Sequence, residues 1–203
     1  MSAFTYNGGS IIGIAGKNCI AMGCDKRLGQ QMTTVAMNFQ KVFKIQDNIL
    51  LGIAGLATDV MTFHSLLKFR VNMFSLKQNR KIKPTTFCHL IASVLYERRW
   101  APFFVSPIVC GLEDGKPIIG NFDLIGCLSI CHTFETGGTA ENMLTGAAET
   151  FFKKDMDPET LEEMTAQILT SGLDRDASSG WGGLIYVLTE KSLKIKSLKV
   201  KMT

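Results

Sequence analysis

Asp25 closes a run, Cys19 to Gly23, that is apolar at almost every position, and Lys26 and Arg27 follow it directly. Charge at the end of a buried strand either caps it in solvent or lines a polar site, because an unpaired interior charge is too costly. Gly8-Gly9-Ser10 stands at the start of the preceding apolar run, Ile11 to Ala15, and carries a hydroxyl. A second polar stretch, Asp174-Arg175-Asp176-Ala177-Ser178-Ser179-Gly180-Trp181-Gly182-Gly183, combines carboxylates, hydroxyls and the glycines of a loop. Cys127, Cys131 and His132 form the one Cys/His cluster, within a single apolar run. They lack the second ligand pair of a tetrahedral zinc site, so no metal is expected.

Gly16-Lys17-Asn18 can turn tightly, so Ile11–Ala15 and Cys19–Gly23 read as a hairpin buried on both faces. Gln31–Met37 and Gln40–Ile45 alternate as strands, and Ile49–Ala54 is a fully buried strand closed by Gly55. Thr58 is placed to cap a long helix carrying Val60, Phe63, Leu67, Val71 and Phe74 at intervals of three or four. Pro84 opens a second helix that stops near Trp100-Ala101-Pro102. Strands resume at Val105–Leu112, Pro117–Phe122 and Cys127–Phe134, and Thr136–Thr139 bends into a helix carrying Met143 to Phe152. Asp157-Pro158 starts another helix, and Leu184–Leu188 with Leu193–Val200 closes the chain as a hairpin. Helices arrive in pairs, which argues against βαβ crossovers. Two antiparallel sheets packed face to face between helix pairs bury every apolar face. The expected class is therefore α+β, a four-layer αββα sandwich formed by one domain over residues 1–203.

Composition agrees with a globular chain: 203 residues, 46% hydrophobic, 20% charged and a formal charge of +4. A chain of this length buries roughly 70% of its unfolded surface. The densest basic run, Lys191 to Lys201, alternates with apolar residues and reads as a solvated strand face, so no nucleic-acid partner is expected. The longest apolar run, Ile49 to Ala57, falls far short of the ~20 residues that span a bilayer. With no signal-peptide pattern at the N-terminus, a soluble intracellular protein is expected, its six cysteines reduced and mostly buried.

The paired order of elements accompanies specific residues. They are Asn7-Gly8-Gly9, Asp25-Lys26-Arg27, Gln40-Lys41-Val42, Gly52-Ile53-Ala54-Gly55-Leu56-Ala57-Thr58-Asp59, Gly137-Gly138-Thr139 and Asp174 to Gly180. In this order and spacing they resemble the proteasome beta-subunit family of N-terminal-nucleophile hydrolases over the whole chain. The resemblance implies an N-terminal threonine whose hydroxyl attacks a peptide carbonyl while its own amine takes the proton. It places Asp25 at the family's carboxylate, Lys41 at its lysine, Gly55 at its oxyanion glycine, and Asp176 with Ser179 at the pair that orients the nucleophile. Gly9 then stands where the threonine belongs, and Gly137 where active members carry a serine. Glycine has no hydroxyl, so the implied site is vestigial and the implied role is a non-catalytic wall of the proteolytic chamber. Lys41 without the family pattern reads as an exposed edge charge; with it, a buried Asp25–Lys41 pair is expected.

The resemblance further implies partners among other beta subunits of the same and opposite rings and among alpha-ring subunits, with protein substrates in the shared chamber. It implies no cofactor, no membrane, and residence in cytoplasm and nucleus. Two competitors differ in class. One is an active peptidase using Ser10 after cleavage behind Gly9, disfavoured because neighbouring strand residues point to opposite faces. The other is a free-standing binding protein on a worn hydrolase fold.

Overall fold

The computed structural model describes residues 2–200. Its centre is the hairpin of β1 (Ser10–Ala15) and β2 (Cys19–Asp25), buried at every position. Asn18 takes the left-handed conformation in the turn, and the register pairs Ile11 with Cys24 and Ala15 with Ile20. One face of the hairpin sends Ile12, Ile14 and Ala21 toward helices; the other sends Ile11, Ile20, Met22 and Cys24 into the space between the sheets. That two-sided burial is why both runs lack the polar alternation of a half-exposed strand.

β10 (Phe134–Gly138), β11 (Gly183–Thr189) and β12 (Leu193–Leu198) complete the first sheet in the order β10-β1-β2-β11-β12. The second sheet runs in chain order through β5 (Val42–Gln46), β6 (Ile49–Gly55), β7 (Val105–Glu113), β8 (Lys116–Phe122) and β9 (Leu128–Cys131). Helices α1 (Ala57–Gln78) and α2 (Pro84–Glu97) cover the second sheet through Phe63, Leu67, Phe87 and Ile91. α3 (Glu141–Phe151) and α4 (Pro158–Leu173) cover the first through Leu144, Leu161 and Ile168. Pro84 and Pro158 sit in the first turns of their helices, where a missing N–H costs nothing. The αββα sandwich is the observed architecture.

Three local expectations are corrected. The strand expected at Gln31–Met37 is shorter, β4 (Thr33–Ala36), and it pairs with an unexpected β3 (Leu28–Gln30) in a separate hairpin that turns at Gln31, φ +57°. Cys127–Phe134 is two strands in different sheets, because the chain crosses between layers at His132-Thr133 while its apolar content continues. Thr58 does not cap α1; Leu56 holds the cap position without a side-chain bond, and Asn7 Oδ1 accepts from the Ala57 amide at 2.9 Å.

Cys19, Cys24, Cys88 and Cys110 are buried and free. Burial pushes the Cys24 and Cys88 thiols up to about 12, which keeps them protonated and inert. In the C-terminal basic run, Lys194 and Lys196 are exposed yet both reach Glu162 on α4 at 2.7 Å, tying β12 to the helix layer; Lys201 lies outside the described residues. Hydrogen bonds from Lys194 and then Lys196 hold the Glu162 carboxyl below its ordinary value of 4.5, against the opposing effect of its burial. A depressed folded-state pKa contributes stability that is complete above 4.5 and lost as pH falls through the folded value. The Glu162→Gln variant should therefore unfold more readily than wild type at pH 7, and the gap should close on acidification below 4.5, measured by urea denaturation across pH.

Candidate functional site

β2 delivers Asp25 to the end of the hairpin, fully buried beside the first residue of β1. Lys41, immediately before β5, reaches across from the second sheet and places Nζ 2.7 Å from Asp25 Oδ1. The same ammonium donates to the Arg27 carbonyl at 2.6 Å and approaches the Asp25 carbonyl at 3.5 Å. Asp25 Oδ1 also accepts from the Ser10 amide at 2.8 Å, while Oδ2 accepts from the Arg27 amide at 3.0 Å and the Gly180 amide at 3.2 Å. Both carboxylate oxygens are thus occupied by fixed donors, and the protons of Lys41 are directed to this chain's own oxygens.

Arg27 is equally buried and, among the described residues, has only neutral partners. Its Nε donates to Thr34 Oγ1 at 3.0 Å, one terminal nitrogen to the Ser178 carbonyl at 2.7 Å, and the other to the Gln31 carbonyl at 3.1 Å. The guanidinium fork holds β4, the β3–β4 turn and the loop after α4 to the end of β2.

Gly9 lies against this cluster with φ +125°, a conformation L residues rarely adopt. A Cβ there would run into Lys41 Cε and lie 3.1 Å from Lys41 Nζ. At Gly8, φ +69°, a Cβ would run into the Ser178 carbonyl. A side chain at position 9 would face Lys41, and the position carries none. Asn7 anchors the backbone upstream: its Nδ2 donates to the Gly29 carbonyl at 2.8 Å, and its own carbonyl accepts from the Gly29 amide at 2.9 Å.

Asp176 forms the second polar group. Its Oδ2 accepts from Ser179 Oγ and Thr139 Oγ1, both at 2.6 Å, and its Oδ1 from the Ser178 amide at 2.9 Å. The Thr139 amide donates to the Gly9 carbonyl at 2.9 Å, which joins this clasp to the hairpin. Gly55 ends β6 and lines an adjoining cavity of about 570 Å³ with Phe4, Thr5, Asp123, Thr139 and Glu141. Among the described residues, no three His, Cys, Asp or Glu side chains converge as a metal would need.

Asp25, Lys41, Asp176 and Ser179 are therefore assembled around Gly9, with Gly55 at the edge. Gly137 is not part of that group. Its absent side chain would point between the sheets, 3.0 Å from Ser106 Oγ, and the hydroxyl beside Gly9 belongs to Thr139. Gly137 and Thr139 are two apart, and the conformation of Gly138, φ +99°, breaks the strand alternation between them. Ser10 is fully buried and faces α3, where its Oγ accepts from the Ala140 amide at 3.1 Å. It lies away from Lys41 and serves the helix start. Arg27 and Asn7 are additions; only the Arg's position two residues past a buried strand hinted at its burial.

Stacked antiparallel sheets between helix pairs, with this cluster at one end of the central hairpin, make the fold that of the N-terminal-nucleophile hydrolases. The family model described as Proteasome subunit matches residues 5–188, and the chain belongs to that family. It is 45% identical to proteasome subunit beta type-3-B of Arabidopsis thaliana, over the full length of both chains. It is 42% identical to proteasome subunit beta type-3 of Saccharomyces cerevisiae over 97% of each chain, and 38% identical to the Caenorhabditis elegans protein of that name over the full length of both.

Removing one partner of the buried pair strands the other charge. Lys41→Met should lose about 3–5 kcal/mol of unfolding free energy. Gly9→Ala should also destabilise, by at least the ~1–3 kcal/mol of a forced backbone conformation. Equilibrium denaturation checks both; a Lys41→Met protein as stable as wild type would contradict the assignment of the pair.

Proposed function

We propose that this chain is a non-catalytic beta subunit of the 20S proteasome core particle. It helps wall the chamber in which ubiquitin-dependent protein degradation ends, and its surfaces shape the sites of neighbouring subunits. Its partners are other beta subunits in the same and the opposite ring and the alpha-ring subunits above it. It works in cytoplasm and nucleus and needs no cofactor for this role. Asp25, Lys41, Gly55, Asp176 and Ser179 keep the layout of the family's active site, around a position that has lost its nucleophile.

One observation carries the reading: Gly9 presents no side-chain atom to Lys41. A carboxylate and an ammonium can tune a nucleophile but cannot replace it, and loss of such a group costs on the order of 10⁶ in kcat. The segment before Gly9 also behaves as structure rather than as a leader. Asn7 bonds Gly29 and the start of α1, the Tyr6 carbonyl accepts from Gln31 at 2.8 Å, and the Phe4 ring stands edge-on to Phe104 at 5.9 Å. Cleavage behind Gly9 would discard all of these contacts, and the Ser10 it would expose has its hydroxyl facing α3.

Intact-mass measurement of the subunit released from the native complex should give a chain beginning at Met1 or Ser2; a chain beginning at Ser10 would overturn the reading. The Gly9→Thr variant, assembled into the complex, should add no peptidase activity, because the new side chain collides with Lys41 and the upstream segment stays in place. Turnover assigned to that variant would show the remaining groups to be catalytically competent.

A further inference from the structure

A second cavity, of about 500 Å³, opens at the end of the sandwich opposite Gly9. β1 spans the distance, about 16–20 Å, from Ser10 beside Asp25 to Ala15 in the cavity wall. Lys17 comes from the β1–β2 turn, Lys116 from the start of β8, His132 from the crossing between the sheets, and Lys154 from the α3–α4 connection. Pro117 and Phe152 supply apolar wall, and Asp155 is the carboxylate among the lining residues.

We propose that this cavity holds an acidic, extended peptide segment of a neighbouring chain in the assembled complex, an inference that rests on the reading of this chain as a proteasome subunit. Six lysines elsewhere meet carboxylates: Lys41 at Asp25, Lys44 and Lys81 at Asp47, Lys83 at Glu113, and Lys194 and Lys196 at Glu162. The rest, such as Lys68 and Lys77, meet none among the described residues. Lys17, Lys116 and Lys154 also meet none, and what sets them apart is that all three line one hollow with a single acid. The His132 imidazole is engaged with the Pro117 carbonyl at 3.1 Å, so the attraction rests on the three ammonium groups.

The walls are fixed in advance. The Lys17 amide donates to the Met156 carbonyl at 2.9 Å, the Gly16 amide to the Cys19 carbonyl at 2.9 Å, and the Ala15 amide to the Thr133 carbonyl at 2.8 Å. A preformed cavity spares a ligand the cost of ordering it.

The chemistry favours a peptide over a small anion. Phosphate sites commonly add converging backbone amides or a planar arginine fork to their lysines, and among the described residues no arginine lines this cavity. Three point charges on separate segments around apolar wall suit spaced carboxylates with an apolar side chain between them. β9 and β10, the outer strands of their sheets, both border the crossing that contributes His132, so an extended chain meets strand edges there.

The test is carbodiimide coupling of carboxyls to amines in the purified native complex, read by mass spectrometry, with amine acetylation measured in parallel. Lys17, Lys116 or Lys154 should couple to an Asp or Glu of another chain, and all three should acetylate about tenfold more slowly in the complex than in the isolated full-length chain. Couplings confined to this chain, or equal acetylation in both states, would overturn the inference and leave the subunit reading intact. Equal protection of the isolated chain by millimolar inorganic phosphate would also overturn it, in favour of a small-anion site. Absence of the chain from the complex would overturn the subunit reading and this inference with it.

Discussion

The buried Asp25–Lys41 pair is the contact on which the rest of the molecule depends. A carboxylate and an ammonium removed from water are stable only when nearly every lone pair and proton has a partner. Here the partners are backbone groups of distant segments: the start of β1, Arg27 two residues past β2, and the loop that precedes β11. Satisfying one ion pair therefore fixes the end of the hairpin against the second sheet and the late loop. Arg27 extends the same logic outward to β4 and Ser178, using carbonyl and hydroxyl acceptors. A geometry that looks like catalytic machinery is thus also the closure of the sandwich, a structural role that the cluster fills whatever chemistry it does.

That constraint also explains the N-terminal segment. Lys41 fills the space a side chain at position 9 would need, and the Ser178 carbonyl fills the space at position 8, so the chain passes as two glycines. Beyond them Asn7 does what Thr58 does not, satisfying an amide at the start of α1 from another part of the chain. In this protein the segment upstream of Gly9 is part of the fold.

The layers were legible in the sequence because burial writes itself into periodicity. The unbroken apolar runs of β1 and β2 announced two packed faces, and Pro84 and Pro158 marked helix starts. Where the chain changes partners without changing character, the pattern is silent: Cys127–Phe134 stays apolar while it moves from one sheet to the other. The site was legible only through the family pattern. Nothing local in Gln40-Lys41-Val42 distinguishes a buried lysine from an exposed one, since its burial is decided by Asp25 sixteen residues away. Thr139 was obscured for a related reason: Gly138 breaks the strand alternation at the point where the hydroxyl turns toward Asp176.

Native-state hydrogen exchange at the amides of Ser10, Arg27 and Gly180 tests the central role of the pair most directly. These three donors meet only at Asp25. If the Asp25–Lys41 pair closes the fold, all three exchange only through global unfolding, as slowly as the interior amides of β1 and β2. Exchange of the three by a local opening, while those strand amides stay protected, would make the cluster a separable site and contradict its role as the keystone of the sandwich.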